Sequence, residues 1–310
     1  MTTPVEVPGI THRYVTARGL RFHLAEAGGD GPPVLLLHGF PQHWYAWRYV
    51  LADLAADHHV YALDLRGAGW SDAPRRGYDT ANLVRDVLAV LDELGQQRVR
   101  LVGHEWGGWL GFHLALAAPE RFDGFVAVNA PHPWMPHRAV LPQIWRYWYT
   151  ALLEYPVLGP WIMRTWPGVL SWLLRRGRPD LPAADIDVFV ERTRQPDRAR
   201  AGQQLHWQLV LRDIPRRLFG GYRHRRLAVP TVLLAGQDDF ALPPRSVAAT
   251  GPATELSVRI MPGSHYLPEE CPDAITAAVR AMAGPGIAGV GSGRPGRPAR
   301  RRAGSPPPAA

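Results

Sequence analysis

Short, continuous apolar runs recur along the chain, each bounded by glycine, proline or a polar residue. A buried parallel strand gives this pattern because both of its faces are covered, whereas a half-exposed strand alternates apolar and polar residues. The runs are VLLLHG (34–39), VYALD (60–64), VRLVGH (99–104), FVAVN (125–129), TVLLAG (231–236) and VRIM (258–261). Segments with helical periodicity lie between them, at 44–55, 79–95 and 106–118. Strands that alternate with helices predict an α/β fold with a mostly parallel sheet.

The alternation of strands and helices is interrupted for about a hundred residues in the middle of the chain. This segment has helical periodicity and no strand-like run. It holds seven of the 12 tryptophans, which are Trp134, Trp145, Trp148, Trp161, Trp166, Trp172 and Trp207. We therefore predict a helical cap at 131–226, inserted into a core made of residues 1–130 and 227–283.

The two ends of the chain differ from the core. Residues 12–16 and 20–27 flank an Arg-Gly pair and predict an antiparallel hairpin at the start of the sheet. Residues 284–310 are rich in glycine, proline and arginine and poor in apolar groups, which predicts a disordered tail. Five arginines of this tail account for +5 of the formal net charge of +8, which leaves +3 for the rest of the chain. We therefore expect no nucleic-acid partner.

Cysteine content and hydropathy bear on the compartment. Cys271 is the only cysteine, so no disulfide can form within the chain. The first residues lack the basic and apolar regions of a signal peptide, and no apolar run approaches the length of a membrane span. We expect a cytoplasmic protein without a membrane partner, and we cannot assign its oligomeric state. No histidine, cysteine or acid cluster has metal-ligand spacing, so we expect no metal and no cofactor.

The segment Gly103-His104-Glu105-Trp106-Gly107 follows a predicted buried strand and precedes a helix. Small residues two positions either side of a central residue are typical of a nucleophile elbow, in which the chain turns sharply and exposes the central side chain. A plain strand-to-helix turn with a surface glutamate is the alternative. This spacing makes Glu105 a candidate catalytic residue.

Two further candidates follow later strands. Asp239 comes after the strand TVLLAG and His265 comes after VRIM, so the chain order is nucleophile, acid, histidine, as in α/β-hydrolases. The turn that contains Phe40 follows the first buried strand, where that fold supplies one oxyanion-hole amide. We expect the backbone N–H groups of Phe40 and Trp106 to point at one position and to stabilise an oxyanion there.

Several motifs together resemble the epoxide hydrolase and haloalkane dehalogenase branch of the α/β-hydrolase superfamily. They are HGFPQHWYAWRY (38–49), DLRGAGWSDAP (64–74), GHEWGG (103–108), GQDDF (236–240) and SHYLPEECP (264–272). The resemblance covers roughly residues 12–282 and implies an α/β-hydrolase fold with an inserted helical cap. It also implies a carboxylate nucleophile, whose ester with the substrate is hydrolysed by water that a His–acid pair activates. Because no serine stands at the elbow, serine-type acyl transfer is disfavoured.

The sequence departs from this branch at position 105, where the branch has aspartate. The extra methylene of Glu105 moves the carboxylate outward by ~1.5 Å. A misplacement of about 1 Å can lower a rate by around 10²-fold. Three explanations therefore stay open: the pocket is adjusted to glutamate, Glu105 is a general base, or the activity is reduced or lost.

The resemblance places donors for the leaving alkoxide on two cap tyrosines. Tyr149 stands at the first of these positions, and His206 stands in the segment where the second is expected. An imidazole can donate a hydrogen bond, so His206 is a candidate for the second role. The alternative for both residues is an aromatic helix face packed on the sheet.

The sequence favours an epoxide hydrolase that acts on a small apolar substrate or one compatible with an aromatic pocket. Haloalkane or haloacid dehalogenase is the second hypothesis, since Trp106 offers one N–H to a halide while Phe40 offers no side-chain donor. A non-catalytic ligand-binding protein is the third hypothesis, although it would have no need of Asp239 and His265. The sequence identifies neither the substrate nor its stereochemistry.

Overall fold

A computed structural model of the chain describes residues 3–136, 142, 145–146, 148–248 and 255–282. Eight strands form one sheet in the order β1-β2-β4-β3-β5-β6-β7-β8. Their bounds are β1 Thr11–Ala17, β2 Leu20–Ala27, β3 Pro33–Leu37, β4 His59–Leu63, β5 Val99–His104, β6 Phe122–Val128, β7 Thr231–Gly236 and β8 Leu256–Met261. β2 is antiparallel to both of its neighbours, and the remaining pairs are parallel. The predicted α/β class and the opening hairpin are confirmed.

Helices connect the strands and fill the segment between β6 and β7. Those associated with the sheet are α1 Arg48–Leu54, α2 Thr80–Glu93, α3 Trp106–Ala117, α10 Pro244–Val247, α11 Leu267–Glu270 and α12 Pro272–Ala281. Those between β6 and β7 are α4 Trp148–Glu154, α5 Leu158–Thr165, α6 Gly168–Gly177, α7 Ala183–Thr193, α8 Pro196–Gln208 and α9 Ile214–Leu218. Within 131–226 the described residues form no strand.

The sheet lies between two apolar layers, which explains the continuous hydrophobic runs. In β3, Leu35 and Leu37 pack with α2 and α3 on one face, whereas Val34 and Leu36 pack with α1 and α12 on the other. Neighbouring side chains of a strand point to opposite faces, so a strand covered on both sides must be apolar at every position.

Most predicted elements differ from the structure by one or two residues at their ends, and two differ in a more informative way. The helical segment predicted at 44–55 is a 3-10 turn at Trp44–Trp47 followed by α1. The strand predicted at 125–129 begins three residues earlier, at Phe122, because this part of the chain pairs with β5. Local hydrophobicity did not indicate that pairing.

The loop after β4 is fastened by one buried carboxylate. Asp64 Oδ1 accepts a hydrogen bond from the backbone N–H of Trp44 at 2.8 Å, and Oδ2 accepts one from that of Trp70 at 2.9 Å. His23 Nδ1 lies 2.7 Å from the same Oδ2. Asp64 therefore joins the edge hairpin, the 3-10 turn and the glycine loop, and its role in the fold is structural.

The helices α4–α8 occupy the segment for which a cap is predicted. Their apolar side chains form a third cluster that includes Leu170, Leu174 and Phe189 and also the core residue Tyr266. Residues 137–141, 143–144 and 147 of the predicted cap, and the whole predicted tail 284–310, fall outside the described residues. The division into core, cap and tail stays a prediction.

Candidate active site

The turn between β5 and α3 places Glu105 at the carboxyl edge of the sheet. Glu105 has φ 50° and ψ −109°, a strained conformation for a residue other than glycine. The flanking glycines allow the turn: a Cβ at Gly103 would lie 2.5 Å from the carbonyl oxygen of Gly107, and a Cβ at Gly107 would lie 2.1 Å from that of Leu37. The glycine spacing therefore has the steric basis that a nucleophile elbow requires.

The Glu105 carboxylate reaches the two amides that were expected to form an oxyanion hole. The backbone N–H of Phe40 donates to Oε2 at 2.8 Å, and the backbone N–H of Trp106 also hydrogen-bonds to this carboxylate. Room for the longer side chain comes from Gly39, since a Cβ there would lie 2.7 Å from both Cβ and Oε2 of Glu105. The N–H of Phe40 thus holds Oε2 in place.

Burial governs the ionisation of this carboxyl group. It raises the pKa of Glu105 to about 7, against the opposing influence of His265 and of the two backbone N–H groups. A carboxyl group with this pKa is partly protonated at neutral pH. Perturbed pKa values of this kind are typical of catalytic sites.

Asp239 and His265 form a buried pair close to Glu105. His265 Nδ1 lies 3.0 Å from each carboxylate oxygen of Asp239, so its proton is donated there and Nε2 is left for proton transfer. The backbone N–H groups of Ala241 and Leu242 donate to Asp239 Oδ1 at 2.7 and 2.9 Å and fix the carboxylate. Burial alone would lower the pKa of His265, but the Asp239 carboxylate outweighs burial and raises the pKa. This imidazole is therefore a good proton acceptor.

Tyr149 approaches the site from α4. Its ring lies 6.1 Å from that of Phe240, which in turn lies 5.5 Å from the imidazole of His265. The phenol also interacts electrostatically with Tyr266, the residue after the histidine. The structure therefore brings Tyr149 to the side of the site where the His–Asp pair lies.

His206 lies on α8, directly over the oxyanion amides. Its ring centroid is 4.7 Å from that of Phe40 and 5.1 Å from that of Trp106. Nδ1 is 2.7 Å from the carbonyl oxygen of Gly202, which can only accept, so Nδ1 carries a proton. Burial lowers the pKa of His206 to about 4, so the ring is neutral near pH 7 and Nε2 is an acceptor. The sequence expectation of a second alkoxide donor at His206 conflicts with this tautomer.

The sequence analysis missed how tightly the histidine loop packs against the end of α6. The backbone N–H of His265 donates to the carbonyl oxygen of Gly177 at 3.2 Å. A Cβ at Gly177 would lie 2.4 Å from the ring of Tyr266 and 3.3 Å from Cβ of His265. In the sequence, the only indication of this contact is the glycine at position 177, at the end of α6. A glycine at a helix end is common, so this indication is weak.

A buried ion-pair network on the same side was also missed. Arg48 of α1 donates to Asp185 of α7 at 2.7 Å and to Glu269 of α11 at 2.8 Å. Arg178, just beyond α6, donates to the carbonyl oxygen of Glu269 at 2.8 Å. This network joins the sheet-associated helices to the inserted ones close to His265.

The site offers no metal-binding chemistry in the part of the chain that the structure describes. No group of three or more histidines, cysteines or acids lies together there in a way that could hold a metal ion. Over the same described ranges, no helix has the length and apolar character needed to cross a bilayer.

Comparisons with known proteins agree with this architecture. A family model described as alpha/beta hydrolase fold matches residues 32–270. The chain is 31% identical over 292 residues to "Epoxide hydrolase 4" of Mus musculus, which covers 88% of this chain and 79% of that protein. The crystal structure of wild-type Cfl2 from Burkholderia cenocepacia superposes with a TM-score of 0.79 at 28% identity, covering 90% of this chain and 99% of that one. The structure "Epoxide hydrolase CorEH without ligand" gives a TM-score of 0.72 at 26% identity over 88% of this chain and 98% of that one.

Proposed function

Because the chain belongs to the α/β hydrolase fold family and is a hydrolase, we propose that it adds water to epoxides through an ester formed on Glu105. The observation that carries this proposal is the 2.8 Å hydrogen bond from the backbone N–H of Phe40 to Glu105 Oε2. It holds one carboxylate oxygen where an oxyanion will form and leaves Oε1 to attack carbon. Curated relatives described as epoxide hydrolases support the same reaction class.

In the first step, Oε1 of the ionised Glu105 attacks one epoxide carbon. A bond forms between Oε1 and that carbon while the ring C–O bond breaks. The alkoxide that leaves takes a proton from the hydroxyl of Tyr149. The products are an alkyl ester of Glu105 and a tyrosinate.

In the second step, His265 Nε2 removes a proton from water, and the hydroxide attacks the carbonyl carbon of the ester. The negative charge develops on Oε2, where the N–H groups of Phe40 and Trp106 stabilise it. Collapse of this intermediate releases the diol, which takes the proton from His265. The regenerated carboxylic acid returns its proton to Tyr149, so the diol keeps one oxygen that came from Glu105.

Helices α4–α8 serve as the cap over this site, since Tyr149 and His206 both reach the site from that segment. The surrounding rings are Phe40, Trp106, Tyr149, His206 and Phe240. We infer a small apolar or aromatic-compatible substrate from this aromatic lining. His206 Nε2, as an acceptor, suits a substrate hydroxyl or a water molecule better than an alkoxide.

The decisive experiment is intact-protein mass spectrometry of His265→Gln after mixing with a panel of epoxides and alkyl halides. This variant should form the ester without hydrolysing it, because attack and water activation use different residues. The exposed His224 supplies a matched control, and His224→Gln should accumulate no adduct. Turnover of His265→Gln at the wild-type rate would refute the two-step scheme.

One observation favours a dehalogenase as the second candidate. Indole Nε1 of Trp106 is buried and has no acceptor among the described residues, so it could donate to a departing halide. Halide release usually requires two such donors, and Phe40 supplies none from its side chain. An adduct formed from alkyl halides but not from epoxides would decide for this candidate.

A further inference from the structure

Tryptophan side chains are unusually exposed on helices α4–α6. Trp148 and Trp166 expose 59% and 60% of their surface, and Trp161 and Trp172 are also exposed. The indoles lie in two pairs: Trp148 with Trp172 at 6.0 Å between centroids, and Trp161 with Trp166 at 5.2 Å. Large exposed apolar groups that cluster in this way mark an interaction surface.

The charged side chains of residues 155–179 are all arginines. The acids that flank this segment are Glu154, which is half-buried, and Asp180, which pairs with Arg178 at 3.3 Å. Arg164, Arg175 and Arg176 are exposed, and among the described residues none of the three forms a salt bridge. Arg175 and Arg176 line an open groove of about 550 Å³ together with Trp172. We call the four indoles and these three arginines the cap face.

The cap face borders the candidate active site. The guanidinium of Arg176 lies 5.5 Å from the ring centroid of Phe240, which lies 5.5 Å from the ring of His265. Trp172 lies 5.9 Å from Tyr149. One aromatic ring therefore separates the cap face from the catalytic base, and another member of the face touches the proposed acid.

We propose that the cap face docks on a lipid bilayer that contains anionic headgroups, with the indoles at the headgroup level and the arginines at the lipid phosphates. Tryptophan prefers this interface because its ring is apolar and its N–H is polar, and arginine side chains extend to the charged headgroups. A bilayer also concentrates apolar compounds next to the site. The inference goes beyond the reaction at Glu105 and does not depend on it.

A second copy of the chain is a poorer occupant. A two-fold symmetric interface would place the cap face against itself, so two arginine-bearing surfaces of like charge would meet. The proposal departs from our expectation of no membrane partner, which rested on the lack of a spanning segment. Peripheral binding needs no such segment.

Flotation of the full chain with vesicles tests the proposal. Vesicles of phosphatidylcholine alone are compared with vesicles that also contain phosphatidylglycerol. Arg175→Gln/Arg176→Gln should weaken binding to the anionic vesicles about fivefold for each arginine, or about 25-fold for the pair. Trp148→Ser/Trp172→Ser should weaken it by about tenfold or more, since the indoles no longer insert. Raising salt from about 0.1 M to about 1 M should weaken binding to the anionic vesicles, because the screening length falls from about 10 Å to about 3 Å and the arginines lose most of their attraction to the lipid phosphates.

The edge strand β8 supplies the matched control. Arg259 and Ile260 are exposed on β8, and Arg259→Gln/Ile260→Ser should leave binding unchanged. The five arginines of residues 284–310 could also attract anionic lipids, but they are present in every variant. The difference in vesicle binding between each variant and the wild-type chain therefore reports on the substituted residues alone. If the Trp148/Trp172 variant does not fold, Trp161→Ser/Trp166→Ser tests the same face.

Three outcomes would overturn the proposal. The first is that anionic vesicles fail to bind the wild-type chain at low salt. The second is that the β8 control loses as much binding as the cap-face variants. The third is that sedimentation shows a dimer that the tryptophan substitutions dissociate, which would make the cap face an interface between two copies.

Discussion

Glu105→Asp tests whether the site is built for glutamate. The elbow fixes the backbone at position 105, so a side chain shorter by one methylene retracts the carboxylate by ~1.5 Å. Retraction along the hydrogen bond would lengthen the 2.8 Å contact with the N–H of Phe40 to about 4.3 Å, beyond hydrogen-bond range. The attacking oxygen falls short of the substrate carbon by the same amount. We expect ester formation to slow by about 10²-fold, equivalent to about 2.7 kcal/mol of activation free energy.

Rapid-quench single-turnover kinetics, with enzyme in excess over epoxide, measure this step directly. Glu105→Gln is the matched control, since it keeps the length of the side chain but cannot form the ester, and its rate should fall to background. Faster ester formation by Glu105→Asp would refute the reasoning and identify the glutamate as a drifted aspartate. Carrying out the wild-type reaction in ¹⁸O water distinguishes a nucleophilic role for Glu105 from a general-base role. An ester intermediate gives unlabelled diol in the first turnover, whereas a general-base role for Glu105 gives labelled diol at once.

The remaining predictions concern ionisation, the proton donor and the packing of the histidine. The rate of ester formation should rise with pH through about 7, because burial raises the pKa of Glu105 to about 7 and only the ionised carboxylate attacks; a rate independent of pH between 6 and about 8 would contradict this. Tyr149→Phe should slow ester formation, measured by rapid quench, by about 10²-fold because the leaving alkoxide loses its proton donor. In the same assay His206→Phe should slow ester formation by less than about tenfold, because the imidazole of His206 accepts a hydrogen bond rather than donating one. Gly177→Ala should lower steady-state turnover by about tenfold because its Cβ would lie 2.4 Å from the ring of the residue after the catalytic histidine. Gly168→Ala is its control, as a Cβ there meets nothing within 4 Å.

Most of the sheet could be predicted because its signal is local. A strand buried on both faces must be apolar throughout, so β3, β5 and β7 stand out in the sequence without knowledge of their partners. The elbow is local only in part. Gly103 is required by the carbonyl oxygen of Gly107, four residues away, whereas Gly107 is required by that of Leu37 in β3, 70 residues earlier. That Glu105, Asp239 and His265 lie close together in space could be predicted only because their order along the chain resembles that of a known family.

What the sequence did not reveal depends on how each side chain is placed in the folded chain. The proton on His206 Nδ1 is fixed by a hydrogen bond to the carbonyl oxygen of Gly202, one helical turn earlier, and the ring is kept neutral by its burial against Phe40 and Trp106. Side-chain chemistry alone permits this imidazole to donate or to accept. The packing of Gly177 on the histidine loop joins residues 88 positions apart and leaves no periodic trace in the sequence. Such features require the folded chain.

The pKa of Glu105 and its reach have one structural origin. The longer side chain places the carboxylate at the N–H of Phe40 and within electrostatic reach of His265, where it is half-buried. Burial raises the pKa of Glu105 above its ordinary value of 4.5 to about 7, so the folded state binds a proton more tightly than the unfolded state does. The free energy of unfolding should therefore fall as pH rises from about 4.5 to about 7, and Glu105→Gln should remove this dependence. The site thus gives up stability to hold an ionised carboxylate against the two amides. The same arrangement positions Oε1 for attack, so an unfolding titration and a kinetic titration should report the same ionisation.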